Sequence, residues 1–268
     1  MTHLRSITNN LDPENTPLSF PFNLPVIQTL ENLEFPTPVT LFVGENGSGK
    51  STLLEAIACA VGSITIGSES VKTDLTLESV RQLSRHFRLI WEKRTHKGFF
   101  LRAEDFFGYA KRISQMKAEL NRDLKTVDRE YVQRSEYASD LAKMSFRREL
   151  HSLEQRYGKG LDVRSHGESF LQLFQSRFVP GGLYLLDEPE APLSPISQLG
   201  FISMLKQMIA ENAQFIIATH SPIILAFPGA TILNFDTLPI QTVEYHDLEH
   251  VTLMKDFLNN PQSFLMRL

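Results

Sequence analysis

A chain of 268 residues that is 42% hydrophobic and 22% charged has the make-up of an ordinary globular protein, which excludes a disordered or fibrous one, and its length suits one large core carrying an inserted subdomain. The formal net charge of −4 offers no global attraction for nucleic acid and leaves any such role to a local basic face. No apolar leader opens the chain, and its most apolar stretch, residues 215–227, is interrupted by His220 and Pro222, so neither a signal peptide nor a membrane span is expected.

Residues 1–38 are rich in proline and asparagine, with short apolar pieces at 19–22 and 26–30 that read as edge strands. Residues 39–43, Val-Thr-Leu-Phe-Val, are apolar and β-branched and predict a strand buried on both faces of a parallel sheet. Glycines follow, and then a strong helical run from Ser51. Within that run stands the single cysteine, Cys59. With no partner for an internal disulfide it reads as a buried structural thiol, and a cytoplasmic setting is the expectation. Residues 88–102 suggest a hairpin turning at Lys97-Gly98. From about 109 to 157 the chain is dense in charge, free of proline and apolar at helical spacing, which predicts two or three amphipathic helices inserted in the core, an insert taken as about 109–165 of a single domain spanning 1–268. Buried strands at 182–186 and 214–218, joined by a helix over 196–212, return the chain to α/β texture. The tail, 243–268, reads as a strand remnant and an amphipathic helix in which Phe257, Leu258, Phe264 and Leu265 are expected to pack.

The loop between the first buried strand and its helix reads Gly44, Glu45, Asn46, Gly47, Ser48, Gly49, Lys50, Ser51, Thr52, which fits G-x-x-x-x-G-K-[ST] in a strand-to-helix context. Glycines at 44, 47 and 49 let successive N–H groups turn inward around a phosphate. The helix N-terminus adds partial positive charge, Lys50 a full one toward the β and γ phosphates, and Ser51 a hydroxyl for Mg²⁺. ATP and Mg²⁺ are the ligands this pattern predicts.

A second constellation is the apolar strand that ends in Asp187, Glu188, Pro189 and Glu190. Its carboxyl end should lie on the sheet edge that carries the phosphate loop. Asp187 is expected to hold Mg²⁺ and Glu188 to polarise the attacking water, because a metal-neutralised carboxylate leaves its neighbour free to take a proton.

These residues resemble the nucleotide-binding domain of the ABC ATPase superfamily, including its RecF-like and SMC-like branches, over most of 39–233. Ser165, His166, Gly167, Glu168 and Ser169 are similar to the LSGGQ signature, with Ser165 and Gly167 in matching places. Residues 191–194 resemble the D-loop, and His220 in Ala-Thr-His-Ser-Pro resembles the switch histidine. The resemblance implies an α/β P-loop NTPase fold, a mostly parallel sheet flanked by helices with an inserted helical lid. It also implies ATP hydrolysis by Lys50, Glu188 and His220, in a head-to-tail homodimer formed on ATP, Ser165 and Gly167 of one chain meeting the γ-phosphate held by the other. The sequence departs from the family at His166, at Glu168 and at Ser194, where many relatives have aspartate. Where a glutamine loop would stand it offers Arg102 or Glu104, and for an adenine-stacking aromatic only Phe20 or Phe22.

The insert carries Lys111, Arg112, Lys117, Arg122, Lys125 and Arg129 among Glu119, Asp123, Asp128 and Glu130, which reads as a solvated helical face or as a lid touching DNA or protein. Three functions follow: a soluble ATPase driving a DNA- or protein-linked cycle without entering a membrane, the ATP-binding subunit of a transporter, and a nucleotide-dependent regulator that hydrolyses weakly.

Overall fold

The structure is a computed structural model and describes residues 2–12, 17, 19–66, 70–130, 136–157 and 166–266. Its frame is a six-stranded sheet built from β3 (Val39–Val43), β5 (Gly98–Arg102), β6 (Leu183–Asp187), β7 (Gln214–Ala218), β8 (Thr231–Asn234) and β9 (Gln241–Thr242), in the order β5-β6-β7-β3-β8-β9. All neighbours are parallel except β9, which runs antiparallel to β8. Alternation along each strand feeds two cores. Val39, Leu41, Val43, Tyr184, Leu186, Phe215 and Ile217 face one side, while Phe42, Leu183, Leu185, Ile216 and Ala218 face the other. Strands covered on both faces have no solvent side to demand polar residues, and so they read as near-continuous apolar runs.

On the first face lie α6 (His166–Arg177) and α7 (Pro195–Ala210), with Phe170, Phe174 and Phe201 fully buried. Phe99, Phe174, Phe178, Tyr184 and Phe215 form a continuous ring cluster there. The Tyr184 hydroxyl keeps its polar end satisfied by donating to Val179 O at 2.8 Å and accepting from Val179 N at 2.7 Å. The other face carries α2 (Lys50–Val61) and α3 (Glu78–Ser84), and beyond them a three-stranded antiparallel sheet of β2 (Asn32–Glu34), β1 (Leu4–Asn9) and β4 (Phe87–Trp91). Gln214, wholly buried, ties the two sheets together: its Oε1 accepts from the backbone of His3 at 2.7 Å and Leu4 at 2.8 Å, and its Nε2 donates to Leu4 O at 2.9 Å.

The hairpin expected over 88–102 does not form. β4 pairs antiparallel with β1, while β5 pairs parallel with β6 in the other sheet. Burial separates them, since β4 alternates between covered and open positions and β5 is covered on both faces. Gly98 makes no hairpin turn; it sits at φ +111°, and a Cβ there would lie 1.8 Å from Leu183 O. Glycine is needed for the close approach of β5 to β6. The N-terminal strands are also corrected. Residues 19–23 turn, and 25–28 form the short helix α1 (Pro25–Gln28) with its proline in the first turn. The strand that opens the fold is Leu4–Asn9 instead.

Helix begins at Ala103, directly after β5, earlier than the expected 109: α4 (Ala103–Glu130) runs 28 residues, roughly 42 Å, and packs against α5 (Glu136–Tyr157). Among the described residues no helix is long and apolar enough to cross a membrane. After β7 come α8 (Pro222–Leu225) and, at the end, α9 (Glu249–Asn259) and α10 (Pro261–Leu265). Phe257 and Phe264 touch edge to face, but Leu258 and Leu265 remain 69% and 59% exposed, against the expectation that both pack.

Candidate functional site

The carboxyl ends of β3, β6 and β7 meet at one edge of the sheet, and the residues singled out by the sequence lie on the turns leaving them. From β3 the chain passes through Gly44–Gly49 into α2, whose N-cap is Gly49 at φ 96°. A Cβ there would come within 2.5 Å of Val26 Cγ1, so α1 closes the outside of the loop and glycine is required on steric and conformational grounds. Lys50, 5% exposed, folds back over its own loop: Nζ donates to Gly44 O and Glu45 O, each at 2.7 Å, and to Ser48 Oγ at 3.4 Å. Burial lowers its pKa, opposed by the charges of Asp236, Glu188 and Asp187. A cavity of about 360 Å³ is lined by Asn46, Gly47, Gly49, Lys50, Ser51, Thr52 and Glu188 together with Leu24 and Phe20. Of the two candidate aromatics, Phe20 stands half-exposed at this cavity, whereas Phe22 is buried with its ring against His86.

Ser51 Oγ donates to Asp187 Oδ1 at 3.0 Å, joining the start of α2 to the end of β6 across the sheet edge. Burial pushes the Asp187 carboxyl up to about 7, the Ser51 hydrogen bond opposing and the charge of Glu188 reinforcing the shift. A carboxylate so placed gains from a cation. Ser51 Oγ and Asp187 Oδ1 are hard oxygen donors of the kind Mg²⁺ takes when phosphate supplies the rest of its shell, so the residues present fit that ion.

Glu188 follows in a left-handed conformation, φ 48°, unusual for a residue with a side chain and a local cost of about 1 kcal/mol. Its N–H donates to Ala218 O at 2.9 Å, which locks the turn onto the end of β7. There His220 brings Nε2 to 3.7 Å from Glu188 Oε1. Burial, and then the charge of Lys50, lowers the His220 pKa, with the charge of Glu188 opposing, which favours the neutral imidazole. Ser194 caps α7 by accepting from Ser197 N at 3.2 Å, a task serine and aspartate share.

Ser165 lies outside the described residues, while Gly167 is in the first turn of α6. Arg102 is buried in an ion cluster with Asp105 at 2.8 Å, Asp74 at 3.1 Å and Glu55 at 3.4 Å; the side chain of Glu104 lies outside the described residues. Sequence reasoning also missed Asp236, whose Oδ1 accepts from Glu45 N at 2.7 Å and braces the loop from the far side. It follows β8 in a segment with no motif, and only the fold brings it near.

A parallel sheet with a strand–glycine loop–helix unit and an acidic strand end beside it defines a P-loop nucleotide-binding protein. The family model described as AAA domain matches residues 22–179, more than half of the chain, and the chain belongs to that family of ATP hydrolases with ABC-type relatives. The matched stretch ends before β6. Curated relatives are the L-cystine transport system ATP-binding protein TcyN of Escherichia coli, 25% identical over 69% of this chain and 70% of that protein, and an uncharacterized ABC transporter ATP-binding protein of Haemophilus influenzae, 28% identical over 74% and 70%. Similar solved structures include a nucleotide-free ATP-binding cassette from an ABC transporter, 17% identical with a TM-score of 0.47 over 98% of this chain and 97% of that one. Another is an Smc head domain with an extended coiled coil bound to the C-terminal domain of ScpA from Pyrococcus furiosus, 11% identical with a TM-score of 0.47 over 96% and 100%.

Proposed function

We propose that the chain binds Mg²⁺ and ATP in the cradle of Gly44–Thr52 and hydrolyses the nucleotide with Glu188 and His220, in a cytoplasmic cycle coupled to DNA or to a protein partner. The observation that supports this reading is the convergence of the loop, the Ser51–Asp187 pair and the Glu188–His220 pair on one sheet edge. Loop amides and Lys50 hold the phosphates. Ser51 and Asp187 would hold Mg²⁺, which when bound offsets phosphate charge and draws electron density from the phosphoryl group. Glu188 orients a water and takes its proton as the water oxygen bonds to the γ-phosphorus and the bond to the β-phosphate oxygen breaks, releasing ADP and phosphate. His220 donates a hydrogen bond to the γ-phosphate. Two copies pair head to tail on ATP, with Ser165 and Gly167 of one completing the site of the other.

Transporter-subunit function is the second reading, and the two transport-system relatives favour it. Against it stand His166 and Glu168 in the signature segment and the engagement of Arg102 in an ion cluster where a glutamine loop would be. Steady-state ATPase rate against protein concentration, with and without duplex DNA at low salt, separates them. A rate per chain that rises with concentration and with DNA is expected. A rate indifferent to both contradicts the dimeric, DNA-linked form of the reading.

A further inference from the structure

One carboxylate of the acidic run has no part in the chemistry above, yet it is placed where the catalytic turns meet. Glu190 stands two residues past Glu188, and its Oε1 accepts from the backbone N–H of His220 at 2.7 Å and from that of Ser221 at 3.2 Å. Its Oε2 is buried, and burial raises its pKa, with a hydrogen bond from the Thr219 side chain and then the His220 N–H opposing. Ser221 is itself fixed, since its Oγ accepts from Ile223 N and Ile224 N, each at 3.2 Å, and donates to Gln198 Oε1 at 2.5 Å. The turn after β6 is thus tied to the turn after β7 at two points: Glu188 N–H on Ala218 O, and Glu190 on the amides of 220 and 221. Between these ties lie the two side chains that need a fixed separation, Glu188 and His220, with Nε2 of the histidine otherwise unpartnered.

We infer that Glu190 is the positioning residue of the site: by accepting from the backbone at His220 and Ser221 it holds the imidazole against Glu188, and turnover depends on it although it does not reach the nucleotide. The inference rests on the reading of Glu188 and His220 given above. What is needed is an acceptor oxygen at that point. Glutamine presents the same oxygen on the same stem; alanine removes it, leaves the His220 amide unpaired and the Ser221 amide with Thr219 Oγ1 alone at 3.0 Å, and frees the histidine turn.

The test compares Glu190→Ala, Glu190→Gln and His220→Ala in the full chain, measuring ATP turnover and, as a check on folding and on the cradle, binding of a fluorescent ATP analogue. Glu190→Ala should lower kcat about tenfold or more, as misplacement of a reacting group does, with KM and analogue affinity unchanged within about twofold. Glu190→Gln should recover most of the rate, and adding Glu190→Ala to His220→Ala should cost nothing further, since the two act as one unit. Wild-type turnover in Glu190→Ala, with His220→Ala slow, overturns the proposal and leaves the site reading intact. Parallel loss of analogue binding, or failure of Glu190→Gln to recover the rate, overturns it as well. Wild-type turnover in His220→Ala defeats the site reading, and the proposal with it.

Discussion

Lys50 is buried and its ammonium is held by two carbonyl oxygens of its own loop, so the side chain organises the loop as well as charging it. Charge-assisted hydrogen bonds are worth about 1.5–3 kcal/mol, and about 1.4 kcal/mol is a factor of ten in affinity. Lys50→Ala should therefore weaken ATP binding about tenfold or more in a titration with a fluorescent analogue, and unchanged affinity would remove the loop from the account. Cys59 gives a second test at this scale. Burial pushes its thiol up to about 11, with the charges of Glu55 and Asp74 adding to the shift and those of Arg81 and Arg102 opposing it. Only the thiolate reacts, so alkylation by iodoacetamide at pH 8 should be at least about tenfold slower than for a free thiol and should accelerate as the pH rises past 9. Alkylation as fast as a free thiol would show that the helix leaves the sulfur open.

Among the elements, β5 most clearly parts from its sequence signal. Lys97-Gly98 between two apolar segments reads locally as a hairpin turn. What decides the outcome is that Phe99, Phe100 and Leu101 are all buried, so the strand needs cover on both faces, which only the central sheet supplies. Gly98 allows the approach, with Leu183 O 1.8 Å from where a Cβ would stand. Gly98→Ala should destabilise the fold by about 3 kcal/mol or more, read as a lowered midpoint in urea with an unchanged slope; a wild-type midpoint would contradict the pairing of β5 with β6. The same comparison explains what was legible. Val39–Val43, Leu183–Asp187 and Gln214–Ala218 announce themselves because strands buried on both faces are almost wholly apolar, Thr40, Asp187 and Gln214 being the exceptions. Leu4–Asn9 does not, because only two of its six residues, Leu4 and Ile7, are apolar, and its partners come from Asn32–Glu34 and Phe87–Trp91, far along the chain.

Across the molecule the site is an assembly of three strand ends. The placing of Lys50, Ser51, Asp187, Glu188 and His220 at one sheet edge was legible because each stands at a short, fixed offset from a buried strand. Asp236, Glu190 and the Arg102 cluster were not, because their roles exist only once distant segments meet: Asp236 with Glu45, Glu190 with the backbone after β7, and Arg102 with Glu55 and Asp74. Gln214 and the Ser51–Asp187 bond make the same point for the frame, since each spans elements far apart in sequence. The proposed hydrolysis depends on Glu188 acting at the junction those contacts create. The most direct measurement is ATP turnover by Glu188→Gln beside the wild-type chain at saturating Mg²⁺ and ATP. The substitution keeps the shape and removes the proton acceptor, so turnover should fall about a hundredfold or more while ATP still binds. Hydrolysis at the wild-type rate in that variant would contradict the account.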